Sequence, residues 1–255
     1  MSDTPGGANP FFHPRYRRAN RYDPHWVHEN QMGPNALWLL ESLTEVLPLE
    51  PGLRVLDLGC GRAMTSIFLA KEFGVSVTAA DLWIDPSENR ARIEVAGVAD
   101  LVVPVHVEAH TLPFAEQSFD AVVSIDAYHY FGTADLYLGY VGRFLRPGGR
   151  LGVVSPSLAG PVGRVPGELV AFWDWEFCSF HDPSWWRTHF EKTGLVEVEV
   201  ADDVEDGWAD WLRFDELTAP RLDGWRKEAA ERSAAMLRAD GGQHLGFARV
   251  VARWR

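Results

Sequence analysis

Between residues 35 and 155 the apolar residues of this chain follow two alternating patterns: short unbroken runs rich in valine and leucine, and longer stretches with apolar positions every three or four residues. The runs lie at 53–58, 75–80, 101–107, 119–125 and 150–154, and the periodic stretches at 35–47, 63–73, 86–96 and 134–145. Asn35 stands where it can N-cap the first helix, whose Leu37, Leu40, Leu43 and Leu47 share one side, and Pro48 with Pro51-Gly52 ends it. Strands that are continuously apolar suit a parallel sheet covered by helices on both faces, so the pattern predicts a doubly wound α/β domain. Farther on, it predicts a helix ending near Gly194, a strand at 195–201, a helix near 225–239 and a closing strand at 245–254.

Two regions escape the alternation. Residues 1–33 read as an irregular arm rich in Pro, Arg, Tyr and His, and the rest as one domain, 34–255, with insertions at about 156–190 and 203–242. These insertions hold most of the tryptophans, eleven in the whole chain, which cluster outside the predicted strands with Trp254 as the exception.

Composition narrows the function. With 255 residues, 46% of them hydrophobic, the chain can bury a full core. A net charge of −12 argues against a nucleic-acid partner, since the one basic cluster is Arg15, Arg17, Arg18 and Arg21 in the arm. Cys60 and Cys178 form neither a disulfide framework nor a metal-ligand spacing, so no metal is expected and a reducing, cytoplasmic compartment is. The first ten residues lack the apolar core of a signal peptide, and no stretch is long and apolar enough for a membrane span.

The candidate chemistry sits where a parallel sheet places its ligands, beyond the carboxyl ends of the strands. The first strand ends in Asp57-Leu58-Gly59-Cys60-Gly61, the second in Asp81, the third runs into Glu108, and the fourth ends in Ser124-Ile125-Asp126. Four successive strands thus bring a carboxylate to one edge. Glycines let the first turn approach a ligand closely, and the helix after it offers free N–H groups. An acid at the end of the second strand can accept both hydroxyls of a ribose. A dinucleotide fingerprint would need a glycine at position 64, which is methionine, and a neutral residue at Asp57.

These residues, with Leu112-Pro113-Phe114, Ser118-Phe119-Asp120 and Arg146-Pro147-Gly148-Gly149, resemble the class I S-adenosylmethionine-dependent methyltransferases over about 33–155 and more loosely over 185–201. The resemblance implies a Rossmann-like, seven-stranded, mostly parallel sheet with an antiparallel last strand and aromatic lid insertions. It implies S-adenosylmethionine as cofactor and S-adenosylhomocysteine as product. Gly59, Cys60 and Gly61 would then pass against the methionine part, with Asp57 holding its ammonium. Asp81 would bind the ribose and Leu82 would flank the adenine. Glu108 would receive the adenine amino group, and the Ala109 N–H would face the ring. Ser124 and Asp126 would also border the cofactor; Ser124-Ile125-Asp126-Ala127 is similar to a stretch in methyltransferases of small polar amines, although a histidine expected four residues after the acid is Tyr130, with His129 one place earlier.

The acceptor is expected to be a small molecule, methylated at oxygen, nitrogen or carbon; RNA or protein methylation and a catalytically idle nucleoside- or partner-binding role are the alternatives. The oligomeric state is left open between monomer and homodimer. His129 and Tyr130 are the candidate bases, with a purely structural role for His129 as the other reading. Tyr22 and His28 in the arm, and Trp173, Trp175, Trp185 and Trp186 in the first insertion, are candidates for the acceptor wall. The same tryptophans could instead pack a small lid core.

Overall fold

Strand β1 (Arg54–Leu58) is the hinge of the architecture, because it pairs in parallel with both β2 (Ser76–Asp81) and β4 (Phe119–Ile125). The computed structural model describes residues 9–159 and 165–255. Outward from β1, β2 pairs with β3 (Val102–His106) and β4 with β5 (Leu145–Leu158), all parallel. A final strand, β7 (Leu245–Trp254), inserts antiparallel between β5 and β6 (Val196–Asp203), so the seven-stranded order is β3-β2-β1-β4-β5-β7-β6. The chain order reverses at β1/β4, which opens a crevice at the carboxyl ends of those strands.

Both faces of the sheet are covered, and the side chains alternate between them as a period of two requires. Val55, Val123 and Val154 pack with Leu37, Leu40 and Leu43 of α2 (Ala36–Thr44) and with Ile67 and Phe68 of α3 (Met64–Phe73). Leu56, Val122 and Val153 pack on the other face with Leu138 of α5 (Tyr137–Gly142) and with Trp186 and Phe190 of α6 (Pro183–Glu191). Asn35 does cap α2, its side chain accepting from the N–H groups of Leu37 and Trp38.

Some boundaries differ from the sequence expectation. The helix expected at 86–96 is α4 (Pro86–Val95), the one expected at 134–145 is the short α5, and β5 begins at Leu145 rather than near 150. Leu145 pairs with Phe119 and Arg150 with Ala121, so Pro147 and Gly148 (φ +79°) bulge out of a strand that hydrophobicity alone divides. The described part of the arm is not wholly irregular. It holds a 3-10 turn at Ala19–Arg21 and a helix, α1 (Pro24–Asn30), whose N-cap Asp23 accepts from His25 and Trp26. In the second insertion the helix expected near 225–239 is α8 (Gly224–Asp240), and a further helix, α7 (Gly207–Thr218), precedes it where no helix was expected. Of the expected arm and first insertion, residues 1–8 and 160–164 lie outside the described residues.

Candidate functional site

The turn after β1 is shaped by three consecutive left-handed positions spaced by one residue: Gly59 (φ +79°), Gly61 (φ +52°) and Ala63 (φ +59°). The first has no alternative to glycine, since a Cβ there would stand 2.4 Å from the Cβ of Ala127. The turn is tied to the next strand. The N–H groups of Gly59 and Cys60 both donate to the Ala80 carbonyl, at 2.8 and 3.1 Å.

Asp81 completes that tie with its side chain. One oxygen accepts from the Gly61 N–H at 2.8 Å, and the other from the Trp83 and Ile84 N–H groups at 2.7 and 3.0 Å. Three backbone donors therefore hold a carboxylate at the rim of the crevice, and the carboxylate in turn holds two loops together. Three of its roughly four acceptor sites are thus filled, and the oxygen that meets Gly61 keeps one for a ligand hydroxyl.

Asp57 is buried beneath this turn. One oxygen accepts from Thr65 and Ser66 hydroxyls, both at 2.6 Å, while the other has no partner. Burial lifts its carboxyl to about 6, against the opposing hydrogen bonds from Ser66 and Thr65. An unpartnered buried carboxylate oxygen is costly, and Asp57 lies behind the cavity wall rather than in it.

These elements bound a cavity of about 320 Å³, lined among others by Gly59, Cys60, Gly61, Asp81, Leu82, Glu108, Ala109, Asp126 and Tyr130. That size suits a small-molecule site. Glu108 has turned onto its own loop: its oxygens meet the His110 N–H at 2.9 Å and His110 Nδ1 at 2.6 Å, which keeps its carboxyl below the usual range. Asp126, partly buried, sits in the left-handed region (φ +53°), and its carboxyl is raised to about 7, by burial first and the charge of Asp215 second.

The arm closes one side of the cavity through Met32, Gly33 and Pro34. It is pinned from two directions. Arg62 donates to the Glu29 carbonyl at 2.6 Å, and Arg92 donates to Asn30 at 3.0 Å and to Asn89, which itself donates to the Gly61 carbonyl at 2.8 Å. From α8, Arg226 donates to the Gln31 carbonyl at 3.0 Å. Neither Met32, Gly33 and Pro34 nor the exposed ring of Trp83, also in the cavity wall, carried a sequence signal that pointed to a ligand.

Several other candidates lie elsewhere. Ser124 is fully buried and donates to the Leu58 carbonyl at 2.7 Å, tying β4 to β1 rather than facing the cavity. His129 is 2% exposed, edge-on to Phe180 and absent from the cavity wall; burial lowers its pKa to about 4. Tyr22 packs on Trp26 and Phe68, and His28 contacts the Arg221 carbonyl. Trp186 is a core residue beside Tyr128 and Phe190, Trp185 is stacked between His181 and His189, Trp173 packs on Phe177, and Trp175 is exposed. None of these residues lines the cavity. The aromatic side chains that do are Trp83, Tyr130 and Phe131.

Among the described residues no helix is long and apolar enough to cross a membrane, and no group of three or more His, Cys, Asp or Glu side chains could hold a metal. Comparison with known proteins agrees with the geometry. The family described as "Methyltransferase domain" matches residues 55–149. Methyltransferase GfsG of Streptomyces halstedii is 32% identical over 171 residues, 64% of this chain and 60% of its own length. The 27-O-demethylrifamycin SV methyltransferase of Amycolatopsis mediterranei is 29% identical over 214 residues, 77% of this chain and 72% of its own length. Of these two relatives, the chain spans less than two thirds of the first and rather more of the second. The fold is also that of the [4+2]-cyclase SpnF, with a TM-score of 0.69 at 20% identity over 88% of this chain and 83% of that one. With its strand order and its glycine turn, residues 55–149 of the chain match a methyltransferase domain set in a seven-stranded doubly wound sheet.

Proposed function

We propose that the protein transfers the methyl group of S-adenosylmethionine to an oxygen, nitrogen or carbon atom of a small-molecule acceptor. The observation that carries this reading is Asp81, a carboxylate held by three backbone N–H groups on the rim of the cavity, where its remaining acceptor site can take a ribose hydroxyl. The unpartnered oxygen of Asp57 takes the methionine ammonium through water, and Gly59 and Gly61 give its chain access to the backbone. Leu82, Glu108 and Ala109 border the adenine.

A sulfonium donor arrives already activated, so the protein's share is to position the acceptor and, for an O–H or N–H acceptor, to take its proton. The arm around Met32 and Gly33 and the rings of Trp83, Tyr130 and Phe131 bound the space left for that acceptor. A net charge of −12 disfavours RNA, and the name of the rifamycin relative specifies a hydroxyl of a small molecule. Two free cysteines, one buried and one exposed, suit the reducing cytoplasm.

A second reading has one specific support: SpnF is titled a cyclase, so this fold serves more than methyl transfer. The two part in one experiment. Donor consumption is measured over a panel of alcohols, phenols, amines, thiols and carboxylates, beside calorimetry with S-adenosylhomocysteine and NAD. Methyl transfer predicts homocysteine-nucleoside binding, no NAD binding and turnover with at least one acceptor. Tight S-adenosylhomocysteine binding without turnover on any acceptor class would favour the second reading.

A further inference from the structure

Three large apolar side chains stand bare around the mouth of the cavity, each from a different segment of the chain. Met32 of the arm is 47% exposed, Tyr130 after β4 is 54% and Trp83 after β2 is 73%, and all three line the cavity. Because β2 and β4 flank β1 in the sheet, the loops that follow them meet across the end of β1, where the rings of Trp83 and Tyr130 lie 6.3 Å apart and tilted by 59°. Met32 borders the glycine turn, since a Cβ on Gly61 would stand 2.9 Å from its Sδ. Apolar surface left in water beside a cavity marks a place that a ligand covers.

The backbone under these side chains is fixed. The Trp83 N–H donates to Asp81 at 2.7 Å and the Tyr130 N–H to the Ala127 carbonyl at 3.1 Å, with the Tyr130 ring 4.0 Å from that of His129 between centroids. Met32 follows Gln31, whose carbonyl accepts from Arg226 at 3.0 Å. A ligand therefore meets a surface already in place, which lowers the ordering cost of binding.

Space and charge then say what kind of molecule fits. At about 320 Å³ the cavity is near the lower end of the roughly 300–1,000 Å³ that one drug-sized ligand occupies. S-adenosylmethionine is itself a ligand of that size, so with the cofactor bound only the reacting end of an acceptor has room inside. Asp126 lines the cavity beside the arm, its Oδ2 2.8 Å from where a Cβ on Gly33 would stand, and among the described residues its carboxylate forms no hydrogen bond or ion pair. The two basic side chains of the wall are engaged, Arg62 with the Glu29 carbonyl and His110 with Glu108. A hydroxyl or an amine can donate to Asp126, whereas a carboxylate or phosphate would face Asp81, Glu108 and Asp126 without a free cation.

Resting on the methyl-transfer reading, we infer that the acceptor is larger than the cavity, with an apolar body that lies outside it against Trp83, Tyr130 and Met32 and a hydroxyl or amine end that enters beside Asp126. These four side chains are then the specificity-determining residues of the reaction, and small polar amines and anionic acceptors are poor substrates.

The test is calorimetry on protein saturated with S-adenosylhomocysteine, with phenol, 4-phenylphenol, benzylamine, 4-phenylbenzylamine and biphenyl-4-carboxylate as probes. The second ring should tighten binding about tenfold or more in both the phenol and the amine pair, because it covers the apolar mouth. Biphenyl-4-carboxylate should bind at least about tenfold more weakly than 4-phenylphenol. Trp83→Ala and Tyr130→Ala should each weaken 4-phenylphenol about tenfold and leave phenol and S-adenosylhomocysteine within about twofold. Trp175→Ala, equally bare but outside the wall, should change none of these. Asp126→Asn, which its left-handed position (φ +53°) accepts, offers an acid a donor and should narrow the gap between the biphenyl acid and 4-phenylphenol to less than about threefold. Biphenyl probes that bind no tighter than single rings, or not at all, to a protein that holds S-adenosylhomocysteine overturn the apolar body alone. Unchanged 4-phenylphenol binding in both aromatic variants overturns the mouth as its place, and a gap unmoved in Asp126→Asn overturns the role of Asp126. A protein that binds no S-adenosylhomocysteine overturns the methyl-transfer reading, and this inference with it.

Discussion

Replacing Asp81 by asparagine should damage both the fold and the cofactor site, because one carboxylate serves both. Its two oxygens accept from three backbone N–H groups, Gly61 on one side and Trp83 and Ile84 on the other. An asparagine has one oxygen and one NH₂, so in either orientation it sets a donor against a donor and retains at most two of the three bonds. Loss of a charge-assisted bond in a residue only 9% exposed should cost about 2 kcal/mol, which at this chain length lowers the unfolding midpoint by about 4–8 °C. The ligand then loses a charged acceptor for its ribose, worth about 1–3 kcal/mol, and the dissociation constant for S-adenosylhomocysteine should rise about 5- to 150-fold. Differential scanning calorimetry of the free protein reads the first effect, and isothermal titration, run well below the new midpoint, reads the second. An Asp81→Asn protein that unfolds within about 1 °C of wild type would show that the tie between the two loops carries no weight. Unchanged affinity in the same variant would remove Asp81 from the ligand site.

Gly59→Ala should abolish measurable S-adenosylhomocysteine binding by calorimetry, because a side chain there meets both a left-handed backbone and Ala127 at 2.4 Å. Trp186→Ala should cost about 3–5 kcal/mol in denaturant unfolding and Trp175→Ala less than about 0.5, since the first is fully buried and the second 77% exposed; the reverse order would place the acceptor wall and the core differently. The pH dependence of stability carries a sign. Because Asp215 binds its proton more tightly folded than unfolded, its contribution is complete below about pH 4 and is lost as pH rises towards 7. The stability of Asp215→Asn relative to wild type should therefore increase by about 1–3 kcal/mol from pH 4 to pH 8, and a flat difference across urea melts at those two pH values would contradict the burial of that charge.

The sequence by itself determined the layered plan and the edge where ligands go. Continuous apolar strands alternating with amphipathic helices fix a doubly wound sheet, because only a strand buried on both faces needs every side chain apolar. The end of each such strand then marks the crevice, and Asp57, Gly59, Gly61 and Asp81 are legible because a turn that leaves a strand for a helix has few residue choices. What local pattern could not decide was which aromatic residues face inward. Trp185 and Trp186 are adjacent on one helix, yet the second fills the core beneath β4 while the first stacks between two histidines, a difference set by where α6 docks on the sheet. The strand β5 was likewise cut short in the hydrophobic pattern, because the bulge at Pro147 and Gly148 is polar while the pairing continues on both sides of it. Only the tertiary structure brought the Gly33 backbone up to Asp126, from a position more than eighty residues away in the chain. Such a meeting leaves no trace in a local pattern, since each of the two is unremarkable in its own segment and the closeness arises from how the arm docks on the sheet edge.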